Sequence, residues 1–206
     1  IWVVFVAYVV VTYVLSLRGT EGQMLELGGL KKHWGENRKG YFIVVLWGKI
    51  KGEEEYREHL IPCVKVTKSG INVQYTIERL IELKDHQRVT TGPAISDSEG
   101  ALISTRELDR MMHELLMEIY TVDRSLFPPS METPEMIIDS YKCFRTFQRT
   151  SDTRALEEKV DQTDIDIVNK WEHMGLMKRK TAQPMRQHYA QFELLVKPFI
   201  RYTYAM

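Results

Sequence analysis

Apolar residues fill the start of the chain and then recur in two rhythms. The opening IWVVFVAYVVVTYVL is almost unbroken. Its valines favour a strand, but its length favours a helix, since strands usually run to about 5–6 residues. A membrane span needs roughly 20 apolar residues, and Ser16 and Arg18 interrupt this run. A secretory leader needs a basic start and a small-residue cleavage site, and neither is present. The reading preferred is a buried element of a larger domain, and a small membrane protein anchored by residues 1–15 is the alternative. Likely core leucines follow at 15, 17, 25 and 27, and Gly28-Gly29 is expected to end the first element near Leu30.

Beyond a polar loop, HWGENRKG, the stretches GYFIVVLWGKIKG and YREHLIPCVKVT carry the β-branched and aromatic content of strands. Together they predict a hairpin. Residues 77, 80, 81 and 83 repeat at a helical period. A long polar connection leads to Ser104 or Thr105 as the cap of a second helix, with 108, 111, 112, 115, 116 and 119 on its apolar face. The adjacent prolines of LFPPS break the chain. One or two helices are expected over 137–160, and another around 165–171. A last helix is expected to start at Pro184 and to end or kink at Pro198. The fold class is mainly alpha with a small antiparallel sheet.

Composition changes this picture little. The chain has 206 residues, 44% hydrophobic and 27% charged, enough for one substantial domain. A net charge of zero argues against a uniformly basic, nucleic-acid-binding surface. The charges do segregate, however. Lys31-Lys32, Lys49 with Lys51, and Lys178-Arg179-Lys180 are basic, whereas Glu53 to Glu55, Glu157-Glu158 and Asp161 to Asp166 are acidic. Two cysteines, Cys63 and Cys143, give neither zinc-ligand spacing nor a disulfide framework and read as free thiols.

Candidate chemistry lies in four short stretches, read in chain order. Arg18, with Glu21 three residues on, follows the apolar run. Lys51 sits in the predicted hairpin turn ahead of Leu60-Ile61-Pro62. Phe147-Gln148-Arg149-Thr150-Ser151-Asp152-Thr153 sits in a predicted helix, with Arg145 before it. Trp171 stands twenty-three residues beyond Gln148, and Tyr189 eighteen beyond Trp171. In this order they resemble the catalytic domain of tyrosine recombinases and phage-type integrases, and more narrowly the recombinase-like genes of eukaryotic mobile elements. The resemblance spans essentially the whole chain and implies that an upstream DNA-clamp domain precedes residues 1–206.

The resemblance implies the following roles. Arg18 would clamp the scissile phosphate, because a guanidinium offers a fork to two phosphate oxygens. Lys51 would protonate the leaving 5′ oxygen. Arg145 would occupy a histidine position and Gln148 the second arginine position, with Arg149 adjacent. Trp171 would pack behind the phosphate and donate from its indole. Tyr189 would be the nucleophile, with Tyr202 and Tyr204 as weaker candidates. Lys49, Lys51, Lys178, Arg179 and Lys180 would meet DNA. The implied partner is double-stranded DNA, the implied assembly a homo-tetramer on it, and no cofactor or metal is called for.

Gln148 departs from the family pattern. It supplies no positive charge to a developing phosphorane, and such a loss is typically on the order of 3 kcal/mol. The alternative reading is therefore a chain that keeps the fold and DNA contact without cleavage.

Overall fold

The computed structural model describes residues 1–34, 40–48, 57–141, 143–169 and 196–206. The opening run is a helix, α1 (Trp2–Val14), with seven buried residues, Val4, Phe5, Ala7, Tyr8, Val11, Thr12 and Val14. Its valines are poor helix formers, so burial of its apolar surface decides the conformation over local propensity. No helix among the described residues is long and apolar enough to cross a membrane.

After α1 the chain turns through Ser16 into a single helical turn, α2 (Gly19–Gly22), and then α3 (Leu27–Trp34). Gly28-Gly29 does not end an element, as the sequence had suggested; both glycines lie in the first turn of α3. The Glu26 carboxylate accepts from the amides of Gly28 and Gly29, which supplies the cap their side chains cannot.

The expected hairpin is present. Strands β1 (Tyr41–Gly48) and β2 (Arg57–Val64) pair antiparallel from Tyr41↔Val64 to Gly48↔Arg57. Residues 42–46 are all buried, because the sheet is covered on both faces and α3 lies on β1. Beside β1 runs Met24–Leu27. Glu26 donates its amide to Val45 O at 2.9 Å and Trp47 donates to Met24 O at 2.7 Å. On its other side, Leu27 donates to Gly92 O and Ala94 donates to Leu25 O.

Helix α4 (Val73–His86) buries Val73, Ile77, Leu80 and Lys84 against α1. Asn72 caps it, its side chain accepting from the Tyr75 amide at 2.9 Å. Of the two caps weighed for α5 (Thr105–Val122), Ser104 serves, accepting from the Glu107 amide. A short 3-10 turn at Arg124–Leu126 follows. The 137–160 region then resolves into two helices, α6 (Pro134–Ser140), with its proline in the first turn, and α7 (Arg145–Glu157). Next is α8 (Gln162–Asn169), and residues 196–205 form a last helix, α9.

Pro198 was expected to end or kink the last helix, yet the chain stays helical past it to 205. Pro198 is the third residue of this helix as described, in a first turn where proline is tolerated, and it is buried, as are Phe199, Tyr202 and Thr203. Buried residues from α1 to Met206 join one apolar cluster. Cys63 and Cys143 are free thiols, the first buried.

Candidate functional site

Helix α7 carries two stripes. Ser151 and Ala155 are buried, and Phe144 and Phe147 join them against the core. Arg145, Gln148 and Asp152 form a second stripe at i, i+3 and i+7. Arg145 and Arg149 are exposed and Gln148 is half-buried. Successive helical residues are about 100° apart, so Arg149 lies off the line through Gln148.

The turn after α1 packs against α7 and touches one residue of each stripe. At one end, Ser16 Oγ donates to Asp152 Oδ1 at 3.2 Å. At the other, Gly19 faces Phe144: a Cβ on Gly19 would lie 3.3 Å from Phe144 Cβ. Tyr8 fixes the same glycine, donating its hydroxyl to Gly19 O at 2.9 Å while its ring packs edge-on to Phe144 at 4.5 Å. Residues 144 and 152 of a helix are about 12 Å apart, close to the reach of the three residue steps from Ser16 to Gly19. The short segment thus lies along α7 in the opposite direction, and Arg18 falls between its two anchor points.

Arg18 is the N-cap residue of α2. Its amide donates to Glu21 Oε2 at 2.7 Å, and its guanidinium is 3.8 Å from the same carboxylate. The guanidinium is about half exposed, at 52%. Glu21 therefore both closes the turn and faces the arginine. This pair is surface-accessible, so its electrostatic contribution is small, on the order of 0–1 kcal/mol.

Behind the stripe lies a polar cluster. Asp152 Oδ1 accepts from Ser16 Oγ, from Asn169 Nδ2 at 2.8 Å and from the Tyr202 hydroxyl at 2.7 Å. Ser16 Oγ also donates to Asn169 Oδ1, at 2.9 Å the shorter of its two bonds, so its one proton is shared between the two oxygens. Four elements meet there: the turn after α1, α7, α8 and α9. Arg201 and Asp164 add a second tie between α9 and α8, at 2.9 Å. Below Tyr8, the Tyr141 hydroxyl donates to Asp109 Oδ1 at 2.7 Å. Burial pushes both the Tyr8 and Tyr141 hydroxyls well above the ordinary tyrosine range, and the Asp109 carboxylate adds to this. These phenols stay protonated and act as donors.

The structure thus sets the turn that carries Arg18 against α7, the helix that carries Arg145, Gln148 and Arg149, through Ser16–Asp152 and Gly19–Phe144. Lys49, Lys51, Trp171, Lys178, Arg179, Lys180 and Tyr189 lie outside the described residues. Among the described residues no group of three His, Cys, Asp or Glu side chains is arranged to hold a metal ion. Sequence reading missed the roles of Ser16, Asp152 and Asn169, and took Tyr202 as a weaker candidate nucleophile where the structure has it as a buried donor to Asp152. A weak signal existed for Asp152 alone, as an acidic side chain in mid-helix four residues from a half-buried glutamine.

Searches against models of protein families, curated proteins and solved structures find no match to this chain.

Proposed function

We propose that this chain is a catalytic domain of the tyrosine-recombinase type, acting on double-stranded DNA through a 3′-phosphotyrosyl intermediate. The observation that carries the reading is the course of residues 16–19 along α7, bounded by Ser16–Asp152 and Gly19–Phe144. Two stretches more than a hundred residues apart in sequence, each singled out for arginines at set positions, share one edge of the fold. Arg18 on the turn and Arg145 on the helix supply positive charge, and Arg145 opens α7, where the helix dipole also favours an anion. A DNA phosphate suits such an edge.

In this scheme the Tyr189 oxygen attacks phosphorus as its proton leaves. The bond from phosphorus to the 5′ oxygen breaks, and Lys51 protonates that oxygen. The energy of the phosphodiester is kept in the tyrosyl bond, so rejoining needs no outside source. The domain would work as a homo-tetramer on DNA.

A second reading, DNA binding without cleavage, is favoured by Gln148. It is half-buried on the stripe beside Arg18, whereas Arg149 lies off that line. One experiment addresses both readings. The chain is incubated with a pool of nicked, random-sequence duplexes and resolved under denaturing conditions. The first reading expects a covalent adduct that is lost in Tyr189→Phe. The second expects duplex binding at low salt, weakened by Arg18→Ala, with an adduct appearing only in Gln148→Arg. Failure to bind duplex DNA at low salt overturns both.

A further inference from the structure

Asp152 gathers three donors on one carboxylate oxygen, and only one of them lies on the turn that carries Arg18. That donor, Ser16, has an unusual backbone. Its φ is +53°, in the left-handed region that side chains other than glycine's rarely adopt. Ser16 ends α1 in a Schellman motif, with Leu17 donating to Thr12 O and Ser16 donating to Tyr13 O. A glycine is the usual residue at this point. Here the position holds a serine that is 1% exposed, with its hydroxyl between Asp152 and Asn169. Two residues on, Arg18 leaves the turn in an extended conformation (φ −69°, ψ 155°).

We infer that Asp152, acting through Ser16, is a positioning residue that holds Arg18 in register with the Arg145–Gln148 stripe of α7. The inference rests on the reading of Arg18 as a phosphate contact. Gly19 is held by Tyr8 and Phe144, and the backbone bonds of the Schellman motif tie the other end of the segment to α1, so the Ser16–Asp152 bond is the tie that sets this end against α7 and with it the line along which Arg18 emerges. Asn169 and Tyr202 occupy the same oxygen, so α8 and α9 are keyed to that register as well.

The test is the salt dependence of binding to a random-sequence DNA duplex. Each phosphate contact contributes about −0.9 to the slope of log K against log salt concentration. Arg18→Ala is expected to flatten the slope by about one contact. Ser16→Ala and Asp152→Ala are expected to give the same flattening, and neither flattens it further when combined with Arg18→Ala. Asp152→Asn, which keeps an acceptor oxygen in place, is expected to restore the wild-type slope. Ser16→Ala leaves Asn169 and Tyr202 on Asp152, so it serves if Asp152→Ala does not fold. A lowered melting temperature with an unchanged slope in Ser16→Ala overturns the inference and leaves the phosphate reading standing. An unchanged slope in Arg18→Ala overturns the phosphate reading, and the inference falls with it.

Discussion

The Tyr202 hydroxyl donates to Asp152 Oδ1 across 2.7 Å and joins the last helix to α7. Burial pushes this hydroxyl well above the ordinary tyrosine range; a hydrogen bond with Ser16 works against the rise, and Asp152 adds to it. Tyr202 is thus a structural donor, fully buried, rather than a poised nucleophile. Tyr202→Phe is expected to lower unfolding free energy by about 1–2 kcal/mol, because a charged acceptor loses one of its donors. Urea denaturation checks this. A loss within error of zero would mean that Asp152 does not depend on that bond.

Among the described residues, three helices end on a residue other than glycine in the left-handed region: Ser16, Arg88 and Lys159, with φ of +53°, +59° and +60°. Each closes the same motif, with Leu17 donating to Thr12 O, Val89 to Lys84 O and Val160 to Ala155 O. The side chains differ in what they do. Arg88 and Lys159 are exposed, so Arg88→Gly and Lys159→Gly are expected to raise stability by up to about 1 kcal/mol, relief of strain outweighing the added freedom of the unfolded chain. Ser16→Gly relieves the same strain but removes a buried hydroxyl from its partners, and a net loss of about 1 kcal/mol is expected. Thermal unfolding of the three variants checks the opposite signs.

Gly22 lies under α1. A Cβ there would overlap Thr12 Oγ1 and come within 2.8 Å of Tyr8 Cε2. Gly22→Ala is therefore expected to cost about 1–3 kcal/mol by overpacking, and to disturb the Tyr8–Gly19 bond that holds the Arg18 turn. Measured stability close to wild type would mean that α1 and α2 part easily at this point.

Lys84 is a fully buried lysine whose ammonium donates to Ser96 O at 2.6 Å and Asp97 O at 2.9 Å. Burial lowers its pKa from the ordinary lysine value, and Asp97 partly opposes this. In the alkaline window just below about 10.5, Lys84 then binds more protons in the unfolded chain than in the folded one, so its own contribution to stability rises with pH there, against the opposite contribution of the raised Tyr8, Tyr141 and Tyr202 hydroxyls. Lys84→Met is expected to abolish that rise and to lower stability at neutral pH by about 1–3 kcal/mol, because buried carbonyls lose their donor. Urea titrations across that window check both signs.

Much of the fold could be read from apolar spacing. The hairpin announces itself by strand composition, α4 by its apolar period and α5 by period and its capping serine, because each depends on neighbours a few positions away. Gly28-Gly29 misleads because its helix is capped by Glu26, a side chain whose role shows only once its amide partners are placed. The opening run is ambiguous because its valines and its length point to different elements, and burial on several sides resolves it. At the candidate site, Arg18, Arg145, Gln148 and Arg149 follow from order along the chain. The cluster on Asp152 does not, because Ser16 and Asp152 are 136 positions apart and no local pattern couples a serine to a distant acid.

The strip Met24–Leu27 beside β1 has a consequence for association. It occupies the backbone groups of Val45 and Trp47 that an incoming strand would need, and it is itself paired on its far side with the 92–94 segment. On the opposite margin, β2 carries Pro62, which lacks the N–H a docking strand would require, and the Val64 amide is taken by Thr203 Oγ1 at 3.3 Å. A two-stranded hairpin this apolar would otherwise be a template for edge-to-edge aggregation. The protection of its two edges therefore resides in a non-strand segment on one side and in Pro62 and α9 on the other, and loosening the segment or α9 is expected to expose the ladder.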